Sequence, residues 1–391
     1  MSEWIETTIG DIATVFDGPH ATPRKTETGP WFLSISSLDK GRLNLAESAH
    51  VSEEDFATWT RRVTPEQGDV LFSYETRLGE AALMPGGIRA CLGRRMAILR
   101  PKRTAVDPQF LLYSYLAPEF QDTIAMRRIH GATVDRISLA SLPSWPIRIP
   151  ALAEQRAIVS VLASFDDKIA INERIAATTD ALSTKLFRHA ALTSPLRFTE
   201  QALSDTAEFI NGRAFTKDAT GTGRMVVRIA EINSGPGGST VYNDIDVPEK
   251  YLARPGDVLF AWSGSLTVTR WFRPEAIINQ HIFKCVPKNG FPQWLISQLV
   301  HRKIDEFRAI AADKATTMGH IQRKHLDEPV LVPTSEALTS LDTRIGPLWE
   351  RALLAEQETL SLANLRDILL PQLMSGRLRV KDAEKIVEDH V

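Results

Sequence analysis

The chain has 391 residues, enough for two or three domains that each bury a core. Its 43% hydrophobic and 24% charged residues are those of an ordinary globular protein, and no apolar run approaches the ~18 residues a membrane span needs. A formal net charge of −2 excludes the overall basic footprint of a solitary DNA binder, yet Arg94, Arg95, Arg100, Lys102 and Arg103 form a local basic stretch with no acid among them.

In chain order, the acidic start up to Glu6 lacks the apolar stretch of a signal peptide. Short runs rich in β-branched and aromatic residues then read as strands: Trp31–Ile35, Val70–Phe72 and Met96–Leu99. Pro108–Leu116 reads as a short helix with proline in its first turn. An extended, proline-bounded strand, Pro146–Pro150, closes the segment. The same order then returns. Asp11–Gly18 (DIATVFDG) recurs as Asp205–Gly212 (DTAEFING), and Phe32–Gly41 as Val226–Gly235. Gly68-Asp-Val-Leu-Phe-Ser73 recurs as Gly256-Asp-Val-Leu-Phe-Ala261, and Pro146–Pro150 as Pro329–Pro333. So long a period marks a duplicated domain rather than a solenoid. Cys91 and Cys285 fall at non-equivalent places of the two copies, which predicts buried thiols in a reducing cytoplasm, not a disulfide.

After each closing proline the texture changes. Ala151 to about Ala191 contains neither glycine nor proline, and a stripe runs through Ile158, Leu162, Phe165, Ile169, Asn172, Ile175, Thr179, Leu182 and Leu186. Spacing that alternates mainly between four and three predicts a coiled-coil helix of roughly 55 Å. A second stripe runs through Leu338, Leu341, Ile345, Leu348, Ala352, Ala355, Thr359, Leu362, Leu365, Leu369 and Leu373. Pro347 predicts a kink or late start, and Pro371 with Gly376 an end. Neither stripe buries itself alone, so antiparallel pairing is expected, with a domain at each end of the rod. The expected fold class is thus α/β (α+β): two similar domains with mixed sheets, joined by two long antiparallel coiled-coil helices in a pseudo-twofold arrangement. The expected boundaries are 1–150, 151–193, 194–334, 335–380 and a tail, 381–391.

No enzyme motif is present. The chain lacks GxxxxGK[ST], a GxGxxG after a strand, CxxC, HExxH and the Asn-Pro-Pro-aromatic tetrapeptide of base-flipping amino-methyltransferases. Ser263-Gly264-Ser265 is no nucleophile elbow, and His320 and His325, five apart, do not share a helical face. The reading is of a protein that binds, with no catalytic centre, metal or cofactor.

Three segments together resemble one family. Trp4 to Ile12 fits W-x-x-x-x-[IL]-G-D-[IV], ahead of Gly68–Ser73. Pro150-x-x-x-Glu154-Gln155-Arg-Ala-Ile-Val159 leads into Phe165-Asp166-Asp-Lys168-Ile169 and Asn172. Leu365-Arg366-Asp-Ile-Leu-Leu-Pro-Gln372-Leu-Met-Ser-Gly-Arg-Leu378 is the third. In these, and in its duplicated layout, the chain resembles the specificity subunit of a Type I restriction–modification system. The resemblance implies two target recognition domains that each read half of a split double-stranded DNA sequence. It implies helices that set the distance between half-sites and dock two methyltransferase subunits, with restriction–translocation subunits joining the full complex. The docking residues it suggests are Glu154, Gln155, Asp166, Lys168, Asn172, Arg366 and Gln372. One departure is visible: the second helix starts Pro333-Thr-Ser-Glu336-Ala337, without a glutamine after the glutamate, so the two ends are expected to grip their partners differently.

Base readout needs polar side chains on loops that reach a groove. Four loops per copy offer them. The first carries His20, Arg24 and Lys25, against Arg213 and Lys217. The second carries Tyr74, Thr76 and Arg77, against Trp262, Ser263 and Ser265. The third carries Arg94 and Arg95, against Gln280 and His281; on a strand, alternation lets only one of the arginines face DNA. The fourth carries Thr133 and Arg136, against Thr316, Thr317 and His320. The loops differ between copies while the scaffold agrees, as two readers of different sequences require. A coiled-coil scaffold that binds proteins at its ends keeps the repeat and the rod but gives no reason for basic, hydroxyl-rich loops.

Overall fold

The computed structural model describes residues 4–20, 22–131, 133–313 and 320–390. The chain divides into two compact units, one of residues 1–167 with 362–391, the other of residues 168–361.

At the centre of the first unit is an antiparallel sheet of β1 (Ala13–Asp17), β2 (Val70–Ser73), β3 (Ala81–Leu83) and β4 (Met96–Pro101), in the order β1-β4-β2-β3. Every residue of β2 is buried, because both faces of the sheet are covered. On one face Leu71 and Ile98 pack with Leu33, Ala90 and Leu92. Those three belong to a second, mixed sheet, in which Thr26–Leu33 pairs in parallel with Ala90–Leu92 and antiparallel with Ala49–His50. On the other face Phe72 meets Tyr115 of the helix Pro108–Leu116 at 5.5 Å between ring centroids. Asp107 caps that helix, accepting from the amides of Gln109 and Phe110. Pro118 holds Ala117 extended and ends it, and a second helix, Pro118–Arg127, begins there.

The second unit repeats the plan. Its sheet holds β5 (Ala207–Asn211), β6 (Val258–Ala261), β7 (Thr267–Arg270) and β8 (Ile282–Pro287), in the order β5-β8-β6-β7. Arg224–Val227 and Ala276–Ile278 form the matching parallel pair. Here no proline interrupts, so one helix, Gln293–Asp313, replaces the broken pair of the first unit. The proline-bounded strands close both units: Pro146–Ile149 pairs with Ile5–Thr8, and Pro329–Pro333 with Phe198–Ala202.

The repeated Gly-Asp-Val-Leu-Phe run is a strand entry. Gly68 and Gly256 sit at φ of +92° and +95°, where glycine is at ease. The aspartate then accepts from the amide three residues earlier (Glu66 to Asp69, Arg254 to Asp257) and pairs with a cation on the neighbouring strand. Arg100 stands 2.8 Å from Asp69, and Lys284 2.9 Å from Asp257.

Two long helices, α1 (Leu152–Thr193) and α2 (Ser335–Met374), each lend one half to either unit. Within the second unit Asn172 meets Glu358 and Ala176 packs with Ala352 and Ala355, so the two halves run antiparallel. The stripe of α1 is buried as expected from Ile158 to Asn172. It then continues through Ala176, Ser183, Phe187 and Ala191, while Leu182 is 44% exposed. The correction is one of phase: after the step of three to Asn172, a step of four to Ala176 keeps the alternation, and a second step of three to Ile175 breaks it. On α2, Leu341, Ile345, Ala352, Ala355, Leu362, Leu369 and Leu373 are buried as expected. The helix starts at Ser335 and runs through Pro347 and Pro371 without a late start; Ile345 and Ala352, both fully buried, pin it on either side of Pro347. It ends at Met374, with Gly376 left-handed just beyond, and a further helix occupies Val380–His390. Cys91 and Cys285 are buried free thiols, their pKa raised by burial. No helix among the described residues is long and apolar enough to cross a membrane.

Candidate nucleic-acid interface

Backbone hydrogen bonds gather the candidate loops of each unit in the same way. In the first unit the amide of Tyr74, the residue after β2, donates to the Arg95 carbonyl at 3.1 Å. Its carbonyl accepts from the amide of Ile137 at 2.8 Å. In the second unit Trp262 does both: its amide donates to His281 at 3.1 Å, and its carbonyl accepts from Ile321 at 3.2 Å. The loop after the first strand joins through Gly18, whose amide donates to Met96 at 3.1 Å, and through Gly212, which donates to Ile282 at 3.0 Å. Both positions require glycine, since a Cβ would lie 2.4 Å from the Met96 oxygen in one case and 2.3 Å from the Ile278 oxygen in the other. Four segments distant in sequence are thereby held together in each unit.

The side chains these segments carry differ. Arg95 sits at φ +71° in a turn, its Nε 2.9 Å from Glu75 and its Nη1 donating to the Thr76 hydroxyl at 3.2 Å. Arg94 is exposed on the same turn. Strand alternation therefore does not govern the two arginines, because they precede the strand rather than lie in it. Arg77 pairs with Glu80 at 3.2 Å and donates to the Ile35 carbonyl. Thr133 and Arg136 are exposed, and the backbone of Arg136 bridges Glu75 and Ile129. Arg24 and Lys25 are exposed and have no ion-pair partner among the described residues, while His20 meets Asp17 at 2.9 Å. Burial and the nearby Asp17 and Glu75 carboxylates push the Tyr74 phenol up to about 12, so it stays a neutral donor at pH 7.

In the second unit Arg213 lies over the Tyr251 ring at 5.1 Å, and Lys217 is exposed. Trp262 stacks on Phe283 at 5.6 Å and donates its indole N–H to Asn211 at 2.8 Å. His281 stands 5.1 Å from the Trp262 ring and His320 6.3 Å from it. Ser263 is buried and its backbone bridges His320; Ser265 is exposed. Thr316 and Thr317 lie outside the described residues.

The basic stretch is less free than its sequence implies. Arg100 is bound by Asp69 and Glu66, Lys102 donates to the Gly10 carbonyl and Arg103 to the Gln67 carbonyl. Arg94 and Arg95 remain at the loops.

The helix residues singled out by resemblance divide in two. Gln155 is fully buried, accepts from the Asp107 amide and donates to the Ala105 and Pro150 carbonyls, so it clamps the start of α1 onto its own unit. Asp166 accepts from Tyr113 and from Arg366, both at 2.7 Å, with Arg42 donating to its carbonyl. Asn172 is buried and donates to Glu358 at 2.9 Å; Lys168 lies 3.5 Å from the same carboxylate. Glu154 is half-buried and Gln372 exposed. Sequence reasoning missed Glu75, which orients Arg95 and was signalled only by its place beside Tyr74. It also missed Tyr113, which no pattern distinguishes from a core aromatic. No cluster of potential metal ligands occurs among the described residues.

Residues 1–178 match the family model described as the Type I restriction modification DNA specificity domain. The chain is similar to the specificity subunit of the MjaX type I restriction enzyme of Methanocaldococcus jannaschii, 27% identical over 187 residues. It is also similar to the HindI specificity subunit of Haemophilus influenzae, 25% identical over 214 residues. These matches cover 44% and 52% of this chain and span only 42% and 44% of the relatives' own lengths. The crystal structure of a Type I restriction–modification S subunit from M. genitalium shares the fold over 95% of this chain and 96% of its own, with a TM-score of 0.58 at 16% identity.

Proposed function

We propose, from the match of residues 1–178 to the specificity-domain family and from the two similar relatives, that the chain is a specificity subunit of a Type I restriction–modification system that reads a split DNA sequence, one half-site in each domain, and carries no catalytic centre itself. The reading domains span residues 1–150 and 194–334. The observation that carries the reading is the duplicated backbone stitch at Tyr74 and Trp262, with Arg94 and Arg95 on one copy answered by Gln280 and His281 on the other. Identical scaffolds with different hydrogen-bonding side chains suit two half-sites of different sequence.

The partners proposed are double-stranded DNA, two methyltransferase subunits docked on the long helices and restriction–translocase subunits beyond them, in the cytoplasm. Glu154, Lys168 and Gln372 are the docking residues with surface to offer. Gln155, Asp166, Asn172 and Arg366 act from inside, by fixing the helices that present it. Replacing residues 1–150 with the equivalent domain of another such subunit, then mapping methylated sites in cells carrying the whole system, tests the reading. One half of the motif should change and the other stay. Change in both halves would show that the domains do not read independently, and a motif left wholly unchanged would favour the protein-binding scaffold instead.

A further inference from the structure

We propose that positions 95 and 281 are one and the same base-reading position of the duplicated scaffold, and that Arg95 reads a guanine in its half-site. This deepens the reading above and rests on it.

Both residues adopt left-handed backbone, at φ +71° and +72°. Glycine is the low-strain choice there, and an L residue retained at such a φ points to a need for its side chain. The neighbouring loop supplies the contrast. Thr76 is left-handed at φ +69°, and the second copy relieves its equivalent with Gly264, at φ +65°. At 95 and 281 neither copy takes that relief. Both carbonyls are also tied by the amide of the residue after the sheet strand, so the side chain leaves the scaffold from a fixed origin.

What departs from that origin differs. An ion pair with Glu75 and a hydrogen bond from Nη1 to Thr76 hold the Arg95 guanidinium before any ligand arrives, while Nε makes no hydrogen bond of its own and Nη2 together with the second N–H of Nη1 remains to donate. A planar fork offering two parallel N–H groups fits the N7 and O6 acceptors of guanine in the major groove. His281 has an aromatic support instead, the Trp262 ring, and is exposed. One position with two side chains and two supports predicts different bases at corresponding places of the half-sites.

The experiment uses the complete system in cells without other methylation. The wild-type motif is mapped first; absence of a split motif would remove the reading on which this proposal rests. Arg95→Ala should then make one guanine of one half-site degenerate while every other position keeps its identity. His281→Arg should alter a single position of the other half-site. On the assembled complex, the wild-type duplex should bind Arg95→Ala about tenfold to a hundredfold more weakly. Placing 7-deazaguanine at the affected position should weaken wild type and leave Arg95→Ala unmoved. Should the variant fail to assemble, a 7-deazaguanine scan with wild-type complex decides: one sensitive guanine in that half-site supports the proposal, and none overturns it. Methylation lowered by Arg95→Ala with all base identities retained would overturn it too, leaving Arg95 a loop-bracing ion pair.

Discussion

Arg270 binds a strand to both long helices within the second unit. Its side chain is 4% exposed; Nε lies 2.8 Å from Glu356, two nitrogens lie 3.1 Å from Asp180, and the guanidinium stacks 4.4 Å from the Trp349 ring centroid. The corresponding residue of the first unit is Leu83, which faces Val70 as Arg270 faces Val258, so this tie belongs to one copy only. Burial pushes the Glu356 carboxyl above its usual value of 4.5, and the Arg270 hydrogen bond and charge hold part of that rise back. Arg270→Ala should destabilise the unit by about 1–3 kcal/mol at pH 7, because it leaves the half-buried Glu356 carboxylate unpaired. A raised carboxyl pKa means the folded state binds the extra proton, so stability falls as pH climbs from 4.5 through the folded value. Losing Arg270 raises that value further. The deficit measured by urea unfolding should therefore shrink between pH 7 and pH 5; an equal or larger deficit at pH 5 would refute the assignment. Alternation in the run Thr267-Val-Thr-Arg270 puts the arginine on the buried face of Val268, but nothing in the run names the acids it meets, which lie on helices far along the chain.

Elements were more legible than the residues that tie them. Proline and glycine punctuate this chain, so the closing strands at 146–150 and 329–333, the strand entries at Gly68 and Gly256 and the start of α1 could all be read directly. The phase of α1 beyond Asn172 could not, because Ala176 and Ser183 carry the seam with side chains too small to mark it. Leu182 and Leu186, one position earlier, look like the better stripe. The corrected phase separates two substitutions sharply. Phe187→Ala, which empties a site between Phe198 and Trp294, should cost about 3–5 kcal/mol. Leu182→Ala should stay within about 0.5 kcal/mol. Thermal or urea unfolding of the two variants checks this, and the opposite ranking would restore the seam through Leu182. The loops were legible as loops, but the stitch at Tyr74 and Trp262 was not, since it consists of backbone groups that sequence does not distinguish.

At the scale of the whole molecule, the proposed function makes the long helices a ruler. Four residues inserted after Thr178 add about one turn and 6 Å to α1 while nearly keeping its phase. At about 3.4 Å per base pair, the gap between half-sites should grow by one to two base pairs with both half-site sequences unchanged. Methylome mapping reads both quantities, and altered bases at a constant gap would defeat the ruler. Residues 362–391 complete the first unit rather than the second. Asp166 finds its partner Arg366 200 residues later, whereas the second unit is one unbroken stretch. On a ribosome adding about 5–20 residues per second, that is a wait of roughly 10–40 s. The order of birth is thus inverted in assembly: the half of the protein translated first is the last to be finished, and a message cut short before codon 362 would cripple the reader encoded at its beginning while sparing the one encoded in its middle.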